Sequence, residues 1–364
     1  MPMKQTSRII STYSADTFGV CSALFELGGM VVMHDASGCN STYTTHDEPR
    51  WFNMDSMVYI SALTEMEAIM GDDEKLISDI VTAAEELKPK FIAIVGTPIP
   101  TMVGFDFDAV ANLIEDRTGI PTFGFATTGM NTYVHGVSMA LEMLARHFVA
   151  DTDLVTEKPY MNILGLTPLD FSVNGQAEAI IRWAQEQGYE VLSSWAMGSS
   201  LGEIARAGEA HMNLVVSAGG LKAAKLLEKR FGTPYLVGVP MDGNLEKSDL
   251  PGEEIVVAGE GVYSLSLAWA LERKLKRGVR VICTTECDEN LLRPKDEKLR
   301  NEAEIEKSLQ TAKIIIADPL YRPICPETAK FVSLPQEAFS GRIYRTQIPD
   351  LVADFESFAK ELME

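Results

Sequence analysis

Seven short apolar or β-branched runs, interleaved with helix-patterned stretches, constrain this chain more than any other feature. The runs occupy 30–34, 91–95, 161–166, 213–217, 254–258, 279–283 and 313–317. The amphipathic stretches are 16–27, 74–87, 133–148, 176–187, 221–230, 262–275 and the tail 350–362. Short strands alternating with helices pack as parallel sheets covered on both faces, so the expected class is α/β. At 364 residues the chain is long enough for two or three domains. Polar, Pro-bearing joints at 151–159 and at 247–253 (KSDLPGE) each precede a fresh strand. They divide the chain into three Rossmann-like domains, 1–155, 156–250 and 251–345, followed by a C-terminal helix in 346–364. The charge-rich stretch 287–306 reads as a solvated loop and helix face.

Charge and cysteine content narrow the partners. Lys and Arg number 32 against 52 Asp and Glu, a formal net charge of -20. No segment concentrates basic residues among aromatics, so nucleic acid and anionic membrane are poor partners. No purely apolar run reaches the roughly 18 residues of a membrane span, and the first residues, MPMKQTSRII, lack an apolar signal core. The expected location is cytoplasmic. Five cysteines, an odd and sparse set, argue against a secreted disulfide framework and leave some thiols free to bind metal.

The densest chemistry lies in residues 18–51, FGVCSALFELGGMVVMHDASGCNSTYTTHDEPRW. Cys21 falls in the first turns of a helix capped by Ser14 or Asp16, where the helix dipole favours a thiolate. It is either a metal ligand or a small hydrophobe packed with Val20, Leu24 and Phe25. Cys39 lies in HDASGC, directly after the strand GMVVMH, where open α/β sheets present ligands. Ser37 and Gly38 ahead of it let backbone N–H groups approach a cluster sulfide. Two thiolates cannot enclose an iron–sulfur cube that takes four, whereas a symmetric dimer would supply four.

Other candidates carry plainer readings. Cys283 and Cys287 form C-x-x-x-C with Cys325 far along the chain, a spacing that suits a core cysteine plus a loop cysteine better than zinc. Gly259-Glu-Gly261-Val-Tyr-Ser264 is an incomplete dinucleotide fingerprint, and any tight strand-to-helix turn explains it. No G-x-x-x-x-G-K-[ST] occurs, so this chain binds no nucleotide through a P-loop. The five histidines form no H-E-x-x-H. His46 sits in a polar loop that faces either a partner or a substrate. His135 opens a helix after the strand PTFGF, as a proton donor or as a satisfied helix-end histidine.

The Cys21 and HDASGC segments resemble the nitrogenase component 1 type oxidoreductases, whose first domain carries an early cluster cysteine and then a His-Gly-Pro-x-Gly-Cys loop. The resemblance continues through YISALTEMEAIMGDDEKLISDIVTAAEELKPKFIAIVG, through NLVVSAGGLKAAKLLEKRFGTPYL, and into IIIADPLYRP and VSLPQEAFSGRIY. It implies that Cys21 and Cys39 are metal ligands, with Ser37 and Gly38 lining the cofactor. Where the family places a third cluster cysteine, this chain has Thr97-Pro98, which points to a [4Fe-4S] cluster shared across a subunit interface. Val216-Ser217-Ala218-Gly219 stands where molybdenum nitrogenases carry a cofactor-ligating cysteine, so dinitrogen reduction is not expected. Short length and two cysteines resemble the compact branch that includes tetrapyrrole reductases. The resemblance then implies a reductase subunit that pairs with itself or a homologous sister chain. It would take low-potential electrons from a separate P-loop iron–sulfur ATPase and pass them to a small molecule, with His46, His135 or Asp35 as proton donors. The alternative is a non-catalytic scaffold or carrier for a metallocofactor.

Overall fold

The computed structural model describes residues 7–11, 14–36, 38, 40–41, 43–152 and 157–363. Three parallel sheets follow one another along the chain. The first contains β1 (Met30–Met33), β2 (Met57–Ile60), β3 (Ile92–Val95) and β4 (Thr122–Phe125) in the order β2-β1-β3-β4. The second contains β5 (Tyr160–Leu164), β6 (Glu190–Ser194), β7 (Met212–Val215) and β8 (Tyr235–Val237) in the same relative order, β6-β5-β7-β8. The third runs β11-β10-β9-β12-β13, from β9 (Ile255–Gly259), β10 (Val279–Cys283), β11 (Glu297–Lys298), β12 (Ile314–Ala317) and β13 (Lys330–Ser333). The α/β reading holds throughout.

Side-chain chemistry accounts for the layering. Every residue of β1, β3, β5, β9 and β10 is buried, including Asn162 in β5 and Arg280 in β10, so these strands are covered on both faces and need helices on both sides. The Glu74–Leu87 helix answers on one face, burying Leu76, Ile77, Ile80 and Ala84. It stops at Lys88, whose φ of 50° ends the helical ladder. The Asp16–Leu24 and Tyr133–His147 helices pack backbone to backbone. A Cβ on Gly19 would sit 2.0 Å from the Tyr133 carbonyl oxygen, and one on Gly136 would sit 1.8 Å from that of Asp16. Only hydrogen fits at either place.

The core is continuous across the sheets. One apolar cluster holds Val31 and Val95 of the first sheet, Leu164 and Val215 of the second, and Val256 and Ile282 of the third. A second joins Met161 and Ile180 to Val257, Val281, Phe355 and Phe358. The last helix, Phe355–Met363, therefore closes the seam between sheets two and three.

Three local expectations change. Neither Ser14 nor Asp16 caps the first helix: Ala15 stands at the cap, and the Asp16 carboxylate instead accepts from the N–H groups of Thr128 and Gly129 and from Asn131 Nδ2, at 2.7–3.2 Å. The tail helix begins at Phe355 rather than near 350, because the Asp350 carboxylate holds a turn by accepting from the N–H of Val352 and Ala353. The stretch 287–306 is not simply solvated. Arg293 and Lys295 reach Glu272 at 3.0 and 2.6 Å, and Arg293 also pairs with Asp296. Glu272 and Asp296 have no exposed side-chain surface, and opposite charges in contact make that burial tolerable.

Candidate functional site

In a sheet ordered 2-1-3-4 the strand order reverses between the first and third strands, and the loops leaving their carboxyl ends diverge there to leave a crevice. In the first sheet those loops begin at His34 and Gly96. Asp35 bridges them: its Oδ1 accepts from Thr97 Oγ1 at 3.1 Å, and Thr97 Oγ1 also lies 2.8 Å from the His34 carbonyl oxygen. The other carboxylate oxygen accepts from Asn40 Nδ2 at 2.7 Å. Asp35 thus pins both ends of the 35–40 loop to the sheet. Thr97-Pro98 is a helix start, with Thr97 at the cap of the Pro98–Val103 helix.

Cys21 has no exposed surface and belongs to the apolar core with Val20, Leu24 and Tyr43. Burial pushes its thiol far above the usual range, with the Glu48 charge adding to the effect. The chain beyond Cys39 packs on the same helix. Tyr43 stacks near Phe18 with ring centroids 5.0 Å apart, and Arg50 bonds the Ser22 carbonyl oxygen at 2.9 Å and Glu26 Oε1 at 2.9 Å. Arg50 also bonds Glu48 and reaches across to the Ala196 carbonyl oxygen at 2.7 Å. The structure therefore brings the Cys21 helix and the segment leaving the HDASGC loop into contact. Ser37 and Cys39 lie outside the described residues. Gly38 is exposed, with open space where a side chain would project. The backbone of His46 is part of a π-helical turn, Tyr43–Asp47, and its side chain lies outside the description. Among the described residues no three His, Cys, Asp or Glu side chains converge as a metal site.

His135 occupies a different place, facing a cavity of about 350 Å³ where the three sheets meet. Its walls include His135 and Ser138 from the first unit, Ala218, Lys222 and Lys225 from the second, and Glu286 and Cys287 from the third. Asp35 does not line it, so the expected proton donors Asp35 and His135 are not neighbours in one cavity. Glu286 caps the amino end of the His135 helix from the third unit, accepting from the Thr132 N–H at 3.2 Å and from its hydroxyl.

Behind this cavity lies a buried polar junction that local sequence patterns did not reveal. The Tyr133 hydroxyl donates to Asp170. Glu260 accepts from the N–H groups of Ala218 at 2.9 Å and Tyr263 at 2.8 Å. Asp170 and Glu260 leave the carboxyl ends of β5 and β9, the reversal points of their own sheets. Burial holds both above the usual carboxylate range, and the Glu260 charge raises Asp170 further. Glu260 also explains the Gly259–Ser264 motif: its carboxylate occupies the helix amino end that a nucleotide phosphate would need.

A sequence model of the family described as nitrogenase component 1 type oxidoreductase matches residues 16–245. The chain belongs to that family. Among curated nitrogenase-like relatives, the nitrogenase iron-molybdenum cofactor biosynthesis protein NifE of Clostridium pasteurianum is 29% identical over 182 residues, 48% of this chain and 38% of that protein. NifE of Nostoc sp. is 23% identical over 244 residues, 63% of this chain and 50% of that protein. A light-independent protochlorophyllide reductase polypeptide of Zygnema circumcarinatum is 25% identical over 183 residues, 47% of this chain and 35% of that protein. The chain thus spans half or less of the length of these relatives. A solved structure, "Nitrogenase Cp1 at pH 6.5", superposes with a TM-score of 0.68 at 14% identity, covering 100% of this chain and 96% of that one. The nitrogenase component 1 fold therefore extends past residue 245 to the whole chain. No helix among the described residues is long and apolar enough to cross a membrane.

Proposed function

We propose that this chain is the electron-accepting subunit of a nitrogenase-like reductase. Cys21 and Cys39 would hold a [4Fe-4S] cluster shared with a second copy or a homologous sister subunit, and a separate P-loop iron–sulfur ATPase would supply the electrons. The observation that carries the reading is the contact between the Cys21 helix and the segment leaving the Cys39 loop, at the reversal point of the first sheet. The donor chemistry fits, since Cys21 is a free thiol in a site shielded from water and iron binding would remove its proton. When bound, such a cluster stores single electrons at low potential. Asp35 and Thr97 hold the loop that carries Ser37, Gly38 and Cys39, and the buried Arg50 fixes the chain beyond it. The cavity lined by His135 is the proposed place for a small-molecule or tetrapyrrole-like substrate, with His135 in position to give up a proton. The division at residues 155, 250 and 345 belongs to this reading, supported by one sheet per unit. So does a cytoplasmic setting, where a low-potential cluster and free thiols persist.

The likeness to NifE supports a second reading, a scaffold or carrier that holds a metallocofactor without turnover. Assay of the anaerobic protein with a nitrogenase-reductase-type ATPase and ATP separates the two. ATP-dependent reduction of a tetrapyrrole or other small substrate supports the reductase. Retention of an iron–sulfur precursor with no turnover supports the scaffold.

A further inference from the structure

We propose that Cys283 and Cys287 form a thiol–disulfide exchange site opening into the cavity where the three sheets meet, and that it acts on low-molecular-weight disulfides. Both sulfurs converge on the space left by one missing side chain. A Cβ on Gly261 would lie 3.1 Å from Cys283 Sγ, 3.5 Å from Cys287 Sγ and 2.8 Å from Cys287 Cβ. Cys283 Sγ itself donates to the Thr285 carbonyl oxygen at 3.5 Å, in the turn that leads from β10 to Cys287. Their exposures differ in the way a nucleophile and its resolving partner require. Cys287 is half-buried and lines the cavity, whereas Cys283 ends β10 and is fully buried. A ligand entering from the cavity meets Cys287 first.

The surroundings set the same order. The neighbouring Cys283 side chain is the main influence drawing the Cys287 thiol below its usual range, and the Lys298 charge helps, against burial and the charges of Glu260 and Asp288. The same contact together with burial holds Cys283 well above its range, as a proton-bearing donor. The pair adjoins the amino end of the Gly261–Leu275 helix, but the Glu260 carboxylate already occupies that end and its charge opposes a thiolate on either sulfur. On the cavity wall Lys225 pairs with Asp288 at 2.7 Å and Arg300 with Glu286 at 3.0 Å, so an anionic thiolate there does not face unpaired acids alone.

The exchange balances without a metal. The Cys287 thiolate attacks one sulfur of R–S–S–R, forming Cys287–S–S–R and expelling RS⁻. Cys283 then gives its proton to the expelled RS⁻ and attacks the Cys287 sulfur, breaking the mixed bond and expelling the second RS⁻. Two electrons pass from the thiol–thiolate pair to the small disulfide, which leaves as one thiol and one thiolate, and a Cys283–Cys287 disulfide remains. Gly261 leaves the room in which the sulfurs can close.

The test uses the full-length, anaerobically reduced protein and a dipyridyl disulfide, which releases a coloured thiopyridone at each displacement, with peptide mass mapping of every cysteine. The expected result is about two equivalents from this pair and a mapped Cys283–Cys287 disulfide. In Cys283→Ser one equivalent is released and the pyridyl adduct stays on Cys287. In Gly261→Ala, checked for folding by circular dichroism, attack persists but closure slows by about tenfold or more. Wild-type protein that keeps the adduct on Cys287 without closing overturns the proposal, whatever the variants do. So does a Cys287 that stays unmodified while Cys39 and Cys325 react.

Discussion

The Tyr133 hydroxyl, on the helix that follows the first sheet, donates to the Asp170 carboxylate at the reversal point of the second. Both side chains are buried, so the bond ties two units where water cannot substitute for either partner. Tyr133→Phe leaves a carboxylate oxygen without its donor, and a loss of about 1–3 kcal/mol is expected from urea unfolding. A variant as stable as the parent would mean that the two units are not held together here.

Asp170 and Glu260 together predict a pH dependence. Burial raises both, so folding favours their protonated forms. That stability is complete below about pH 4, where unfolded carboxyls titrate, and is lost as pH rises through the folded values. Asp170→Asn removes the charge and keeps an acceptor for Tyr133. Its melting temperature should exceed that of the parent at pH 8, and the difference should vanish near pH 4.

His34 works at the other end of the scale. Burial lowers it to about 4, against the opposing charges of Asp35 and Glu67. Its ring lies 2.8 Å from Ser61 Oγ and packs on Phe105. Stability from the neutral ring is present above about pH 6.5 and is lost as pH falls through about 4, on the order of 3 kcal/mol in all. His34→Gln should flatten this limb in acid titrations followed by fluorescence. An unchanged limb would place the acid-sensitive group elsewhere.

Arg50 sits between Glu26 and Glu48 with its side chain almost wholly buried. Truncation to Ala strands two carboxylates, and a cost of about 3–5 kcal/mol is expected. Because Arg50 also fixes the chain beyond the Cys39 loop, iron retention after anaerobic reconstitution should fall more steeply than in Arg277→Ala, whose pair with Glu254 is exposed.

The sequence made the central strands legible because they are short runs of mostly β-branched or apolar residues: Val279–Cys283, which carries Arg280 among them, matches its run end to end, and Ile255–Gly259 is displaced by one residue. Edge and polar strands carried no such signal. Tyr235–Val237 is short and only half-buried, and Glu190–Ser194 points serines inward, where Ser193 donates to Asn162 at 2.7 Å. The segment around Arg293 looked solvated because its partner Glu272 lies on another element. The Tyr133, Asp170 and Glu260 junction was hidden for the same reason, as each residue comes from a different unit and no local spacing links them. The closeness of Cys283 and Cys287 had a trace in the G-x-G motif, whose second glycine makes room for the thiols.

Cys21 and Cys39 are proposed to hold a cluster shared between subunits. Iron and sulfide analysis of the anaerobically reconstituted protein, with electron paramagnetic resonance and mass in solution, tests it most directly. About four irons per dimer are expected, lost in both Cys21→Ser and Cys39→Ser but kept in Cys325→Ser. A well-folded protein that takes up no iron, or one whose iron survives both substitutions, would contradict it.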